Sequence, residues 1–264
     1  MLILNEEKYA KDLYDGKNQD VKSIMAKIRY ITRYLIHSEQ RSDSIVYTET
    51  VNWLKENHNN FDESSYSNVI SDAIKSARKY PFYIIDSIKI TRSELEIISS
   101  LDNLRAEKIL FVLLCMAKQQ SMSNGFTNGL VKYSITDLCK TARVSVPADD
   151  REYILYEIVQ RGLLGYPKKN NAQCLIVNFI GVDEVVLELD EMDCCELAYA
   201  YLRWKNNGTG YTKCQKCHIL IKQSKTKPRK YCEECAKEVE KENSKERVRR
   251  YREKCNENLT QQND

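Results

Sequence analysis

Residues 211–254 read YTKCQKCHIL IKQSKTKPRK YCEECAKEVE KENSKERVRR YREK, and the rest of the chain is read outward from them. They hold Cys214-Gln215-Lys216-Cys217 and Cys232-Glu233-Glu234-Cys235, two C-x2-C units with fourteen residues between them. Each unit can wrap a metal ion and the loop can bring the two together, which is the pattern of a tetrahedral thiolate site for zinc. Two redox dithiols or a disulfide-bonded knuckle would need a βαβ context or an oxidising compartment, and the chain supplies neither signal. Cys214, Cys217, Cys232 and Cys235 are therefore expected to hold one structural Zn2+. His218 follows directly, but four cysteines already complete the shell.

Between the cysteine pairs, Ile219, Leu220 and Ile221 suggest a short strand. Lys222, Lys225, Lys227, Arg229 and Lys230 follow without one acid between them. The metal would replace a hydrophobic core too small to hold a knuckle or ribbon alone. From Glu233 to about residue 256 the pattern is one long helix with acids early and bases late, as the helix dipole favours. Its bases gather at Lys245, Arg247, Arg249, Arg250, Arg252 and Lys254, with Tyr251 among them. Pairs such as Glu246–Arg249 and Glu246–Arg250 would suit a solvated helix, at about 0.2–0.5 kcal/mol each. After Ala236 and Val239 nothing apolar appears until Val248 and Tyr251, so the helix has no long stripe to bury.

Charge divides unevenly along the 264 residues. Residues 211–264 carry fifteen Lys+Arg against nine Asp+Glu, whereas residues 1–210 carry twenty-six against twenty-nine. A basic end on an acidic body points to a polyanionic partner, nucleic acid above all. A hydrophobic fraction of 42% suits a soluble globular protein. The opening MLILNEEKYA does not read as a signal peptide, and the longest apolar run, Ile109–Ala117, is too short to span a bilayer. A reducing, cytoplasmic setting is expected, in which paired thiols favour metal over disulfide.

Toward the N-terminus, helical spacing is expected over 4–15, 19–37, 46–58 and 64–79, the last capped within Asp62-Glu63-Ser64-Ser65 and stopped by Pro81. Phe82–Ile85 and Ile88–Thr91, around Asp86-Ser87, read as a hairpin. Residues 1–92 would then be an α-helical domain whose order also suits a winged helix. Residues 93–205 repeat that order more clearly. Helices over 93–101 and 104–119 are followed by a loop and by a short helix that Ser134-Ile135-Thr136-Asp137 caps. A helix from Pro147 to about Arg161 and a wing made of 162–166 and 174–180 complete the layout of a winged helix-turn-helix. The helix that would enter the major groove opens Asp149-Asp150-Arg151-Glu152 and also carries Glu157, acids that repel phosphate. Only Lys168 and Lys169 at the wing tip suit a backbone contact, so this unit reads as a scaffold or protein-interaction module at least as well as a DNA reader. Residues 182–192 read as an acidic strand or linker, and 194–204 as an amphipathic helix in which Cys194-Cys195 is ordinary core. Asn206–Gly210 reads as a hinge before the knuckle (211–236) and the basic helix and tail (237–264).

Catalytic constellations are missing from the sequence. The histidines are scattered, and no H-E-x-x-H, phosphate loop or G-x-S-x-G elbow occurs, so a non-enzymatic protein is expected. The wing Gly162-Leu163-Leu164 … Pro167-Lys168-Lys169-Asn170, the ending Lys230-Tyr231-Cys232-Glu233-Glu234-Cys235-Ala236 and the opening Leu4-Asn5-Glu6-Glu7-Lys8-Tyr9-Ala10 resemble an uncharacterised family of phage and prophage proteins from Gram-positive bacteria. The resemblance covers most of the chain, though the basic helix after Cys235 runs longer than that family's ending. It implies an intracellular regulatory, replication-linked or host-interaction role and identifies no catalytic residue. The expectation is a mainly α protein with small β-hairpins, a winged-helix-like body, single or tandem, and a C-terminal zinc ribbon or knuckle with a basic helix. It would bind nucleic acid, DNA first, as a phage transcription or replication factor. An adaptor or inhibitor of a host system, with zinc purely structural, is the alternative.

Overall fold

Asn5 turns the chain into the first of four helices by accepting the Lys8 N–H on its Oδ1 at 2.9 Å. A computed structural model describes residues 2–17, 21, 23–124, 129–168, 173–224 and 226–261. The helices are α1 (Glu6–Tyr14), α2 (Ile24–His37), α3 (Asp43–Asn57) and α4 (Glu63–Lys79). The expected cap at the head of α4 forms: Asp62 Oδ2 accepts the Ser65 N–H at 3.0 Å and the Ser64 and Ser65 hydroxyls at 2.6 Å. Apolar residues at helical spacing, Ile28, Ile31 and Leu35 on α2, Val46 and Leu54 on α3, and Ile70, Ile74 and Ala77 on α4, close one core.

The hairpin expected over 82–85 and 88–91 does not form. Ile84 makes an isolated bridge to Asn5. β1 (Ile88–Thr91) instead pairs antiparallel with β5 (Val185–Leu189), Ile88 opposite Leu189 and Ile90 opposite Leu187. Asp86-Ser87 lacks the Asn-Gly or Gly pairing that a two-residue hairpin turn prefers. Ile88 and Ile90 are fully buried in the second core, so the strand joins the partner that covers it there. The acidic stretch 182–192 thus contains a true strand, and the N-terminal helices have no wing after them.

The second core is built on α6 (Leu104–Asn124), where every residue from Ile109 to Cys115 is fully buried. Before it stands α5 (Arg92–Ser99). After it come β2 (Leu130–Lys132), α7 (Ile135–Thr141), α8 (Ala148–Gln160), β3 (Leu164–Gly165) and β4 (Cys174–Val177). Ser134 caps α7 as expected. β4 is the middle strand of a sheet ordered β2-β4-β3, with Val131 opposite Leu175 and Leu164 opposite Val177. β2 has no counterpart in the sequence reading. Gly129 starts it at φ +67°, where a Cβ would lie 2.3 Å from the Val177 carbonyl oxygen, so only glycine allows the Val177 N–H to reach Gly129 O at 2.9 Å.

Glu94, with no exposed surface, ties three segments of this core together. Its Oε2 accepts the Thr91 N–H at 2.8 Å and the Lys118 ammonium at 2.7 Å, and its Oε1 accepts the Gly181 N–H at 2.9 Å. Lys118 also donates to the Lys89 carbonyl at 2.6 Å. After β5, α9 (Glu191–Cys194) and α10 (Leu197–Lys205) finish the body, with Leu197, Ala200 and Tyr201 buried against α6 and its neighbours. Among the described residues no helix is long and apolar enough to cross a membrane.

Candidate metal centre and basic helix

Two short strands and one helix bring the cysteines together. β6 (Tyr211–Lys213) and β7 (Leu220–Lys222) form an antiparallel hairpin whose loop carries Cys214 and Cys217. The loop reverses through His218 at φ +62°, while the Cys214 N–H donates to Ile219 O at 2.8 Å and the His218 N–H to Cys214 O at 3.0 Å. Cys232 precedes and Cys235 lies within the first turn of α11 (Glu233–Gln261), which runs beyond the expected end near 256. The Gln215 N–H reaches Lys230 O at 3.0 Å and joins the two halves. Gln223 closes the basic loop, its side chain donating to Arg229 O and accepting the Arg229 N–H, each at 2.9 Å.

The four sulfur atoms lie within 4.8 Å of one another, and Cys217 Sγ is 3.7 Å from Cys232 Sγ. A tetrahedron of ~2.3 Å metal–sulfur bonds has edges of roughly 3.8 Å, whereas a disulfide would need about 2.05 Å. The donor set and its spacing therefore fit one metal ion. Cys214, Cys232 and Cys235 are buried and Cys217 half-buried. Burial alone would push the Cys214 thiol up. The N–H groups of Cys217, Cys232 and Lys216 turn toward it, the Cys232 N–H at 3.3 Å, and hold it down at about 6. Burial and the neighbouring thiols push Cys235 well up. Four thiolates this close repel one another, and a cation among them removes that repulsion. His218 is exposed and is not part of the cluster.

Beyond its sulfurs the knuckle buries little besides Ile221. Docking on the body adds what the sequence left unread. Leu220 enters the second core, and the Tyr211 ring sits 5.2 Å from that of Tyr199. Arg143 lies over Tyr199 at 4.4 Å and pairs with Glu196, Nε to Oε2 at 2.7 Å. Lys213 bonds Asp190 at 2.8 Å, and Lys216 pairs with Glu238 and Glu242 of α11 at 3.1 and 3.2 Å.

Lys222, Lys227, Arg229 and Lys230 are exposed along the closed loop, and Lys225 lies outside the described residues. Arg247, Arg249, Arg250 and Arg252 are exposed on α11, and Lys254 lies on the same helix. The expected Glu246 pairs form, to Arg249 at 2.9 Å and to Arg250 at 3.0 Å. Among the described residues Arg247 and Arg252 make no ion pair. Lys168 is exposed between β3 and β4, on the body and not in the knuckle, while Lys169 lies outside the described residues. Of the vicinal pair Cys194 is core, as expected, but Cys195 is exposed. Periodicity gave no signal of three tyrosines on or beside α8 that remain open to solvent, Tyr153, Tyr156 and Tyr166, each more than half exposed. No family model, curated protein or solved structure matches the chain.

Proposed function

We propose that the four cysteines hold one structural Zn2+ and that the chain is a non-enzymatic nucleic-acid-binding protein, DNA being the first partner to test. The observation that carries this reading is α11, an exposed arginine-rich helix of 29 residues anchored at its first turn by the thiolate cluster. At 1.5 Å per residue it is about 43 Å long. From Ala236 to Glu253 its side chains are exposed except the half-buried Val239 and Glu246, so its arginines are available to phosphates. Zinc suits four thiolates in a tetrahedron and brings no redox chemistry of its own, in keeping with a staple. The order α6-β2-α7-α8-β3-β4 with sheet order β2-β4-β3 supports reading the body as a winged helix. The resemblance to phage proteins supports a role as a transcription or replication factor in a bacterial cytoplasm.

Phosphate contacts of this kind supply affinity and salt dependence without sequence preference. Each neutralised phosphate contributes about −0.9 to the slope of log K against log salt on duplex DNA, so four engaged arginines give roughly −3.6. The test titrates random-sequence duplex and single-stranded DNA at several salt concentrations, comparing the full chain with Arg247, Arg249, Arg250 and Arg252→Gln. Binding whose slope flattens by about 3 to 4 in the variant supports the reading. No binding by the zinc-loaded chain at low salt refutes it. A second reading, an adaptor or inhibitor of a host protein system, is favoured by the acids that α8 turns outward, since they would repel phosphate at the groove-facing position.

A further inference from the structure

α8 has two unlike faces. Ile154, Leu155 and Ile158 are buried in the second core. Away from it, Tyr153 is 60% and Tyr156 55% exposed, and Tyr166, just past β3, is 64% exposed. Tyr166 and Glu152 of α8 share a neighbourhood around Tyr133: burial pushes the Tyr133 hydroxyl up, and those two groups push it further. Asp149, Asp150 and Glu152 are exposed on the same helix, and among the described residues none of them makes an ion pair. Arg151, the one cation among them, makes no ion pair among the described residues and donates its Nε to Val146 O at 3.2 Å. Two acids in the first turn suit the helix dipole. That accounts for Asp149 and Asp150, but not for exposed aromatic surface beside uncompensated charge.

The far half of α11 is its complement. Arg247 and Arg252 are exposed without ion pairs among the described residues, and Val248 and Tyr251, three positions apart on one side, are 50% and 70% exposed. The basic run 245–252 and the acidic run 149–156 are each eight residues of helix, roughly 12 Å long. Arginines over tyrosine faces add cation–π attraction to the pairing of opposite charges.

From this complementarity we infer that the acidic tyrosine face of α8 is a docking surface for the basic half of α11 from a second copy of this chain. One copy offers both halves of the contact, so a two-fold arrangement makes it twice and closes as a dimer. This goes beyond the nucleic-acid reading and does not depend on it, but the α8 acids and phosphates would compete for the same arginines.

The test uses nuclease-treated, zinc-loaded full-length chain and light scattering at about 50 and 500 mM salt. Twice the chain mass is expected at low salt, with association weakening at least about tenfold at high salt because the contact is rich in exposed charge. Two charge-reversed variants, Asp149→Lys/Asp150→Lys/Glu152→Lys and Arg247→Glu/Arg249→Glu/Arg250→Glu/Arg252→Glu, should each be monomeric. Mixed in equal amounts they should form a heterodimer, because each α8 face then meets an α11 of opposite sign. Every substitution lies at an exposed position, and unchanged ellipticity confirms folding. If a variant fails to fold, the mass and salt response of the unsubstituted chain still decide. A chain monomeric at low salt, a dimer that survives either reversal, or a mixture that stays monomeric overturns the inference. The first of those results combined with salt-dependent DNA binding would leave the proposed function standing.

Discussion

Replacing Lys118 by Met takes away one member of a buried ion pair and leaves its length in place. Lys118 is 8% exposed and Glu94 not at all, and the two meet at 2.7 Å. Removing one partner of such a pair costs about 3–5 kcal/mol, because the other charge stays buried. Glu94 keeps the Thr91 and Gly181 N–H groups, which places the loss near 3 kcal/mol, less than a fully stranded carboxylate would show. For a unit of this size that is a fall of roughly 6–12 °C in the thermal midpoint. The chain has two tryptophans, Trp53 against the first core and Trp204 against the second. Emission followed in a Trp53→Phe background therefore reports the core that holds the pair. Adding Glu94→Gln to Lys118→Met should recover at least about 1 kcal/mol, since the stranded charge is gone. A midpoint within 2 °C of the parent for Lys118→Met, or a double variant as unstable as the summed single losses, would refute the account of this network.

Gly129→Ala should cost about 2 kcal/mol or more, since it adds a backbone clash to a positive φ, whereas Gly162→Ala, at φ +73° with nothing within 4 Å, should cost only about 1 kcal/mol; equal midpoints for the two would count against the close approach at Val177. The Ser64 hydroxyl, then the Ser65 hydroxyl and N–H, hold Asp62 down at about 2, below its ordinary 3.8. Its contribution to stability is therefore complete above about pH 4 and is lost as pH falls through 2, so Asp62→Asn, which keeps an acceptor, should flatten that part of the acid limb in Trp53 emission. Elemental analysis should find one zinc per chain and far less in Cys217→Ser, with amide protection lost at Cys214 and Cys232 while the second core, which loses only the Leu220 and Tyr211 contacts, stays folded with a lowered midpoint. Full metal retention in that variant would argue against the four-thiolate shell.

What could be read in advance was local. The C-x2-C units set four sulfurs within reach of one ion, because a knuckle is specified by spacing within a few residues. The caps at Asp62 and Ser134 were equally visible, since a cap is a bond to the N–H three positions on. The run 109–117 is apolar at every position, so it has no polar face to keep in water and its burial follows from local sequence. Residues 82–91 misled because Ile88 and Ile90 specify a buried strand without specifying its partner. That partner, β5, comes nearly a hundred residues later and is chosen by which core covers the strand. β2 was invisible because three residues carry too little pattern, and only its approach to Val177 explains Gly129. Where Leu220 and Tyr211 dock was unreadable because those contacts join residues far apart in the chain. The sequence by itself determined which four cysteines could share one ion, the charge of the last helix and most helix boundaries, all set by groups close together in the chain. Only the tertiary structure decided which strands pair, where the knuckle docks and that α8 turns its tyrosines outward beside unpaired acids, because those depend on groups that meet only once the chain has folded.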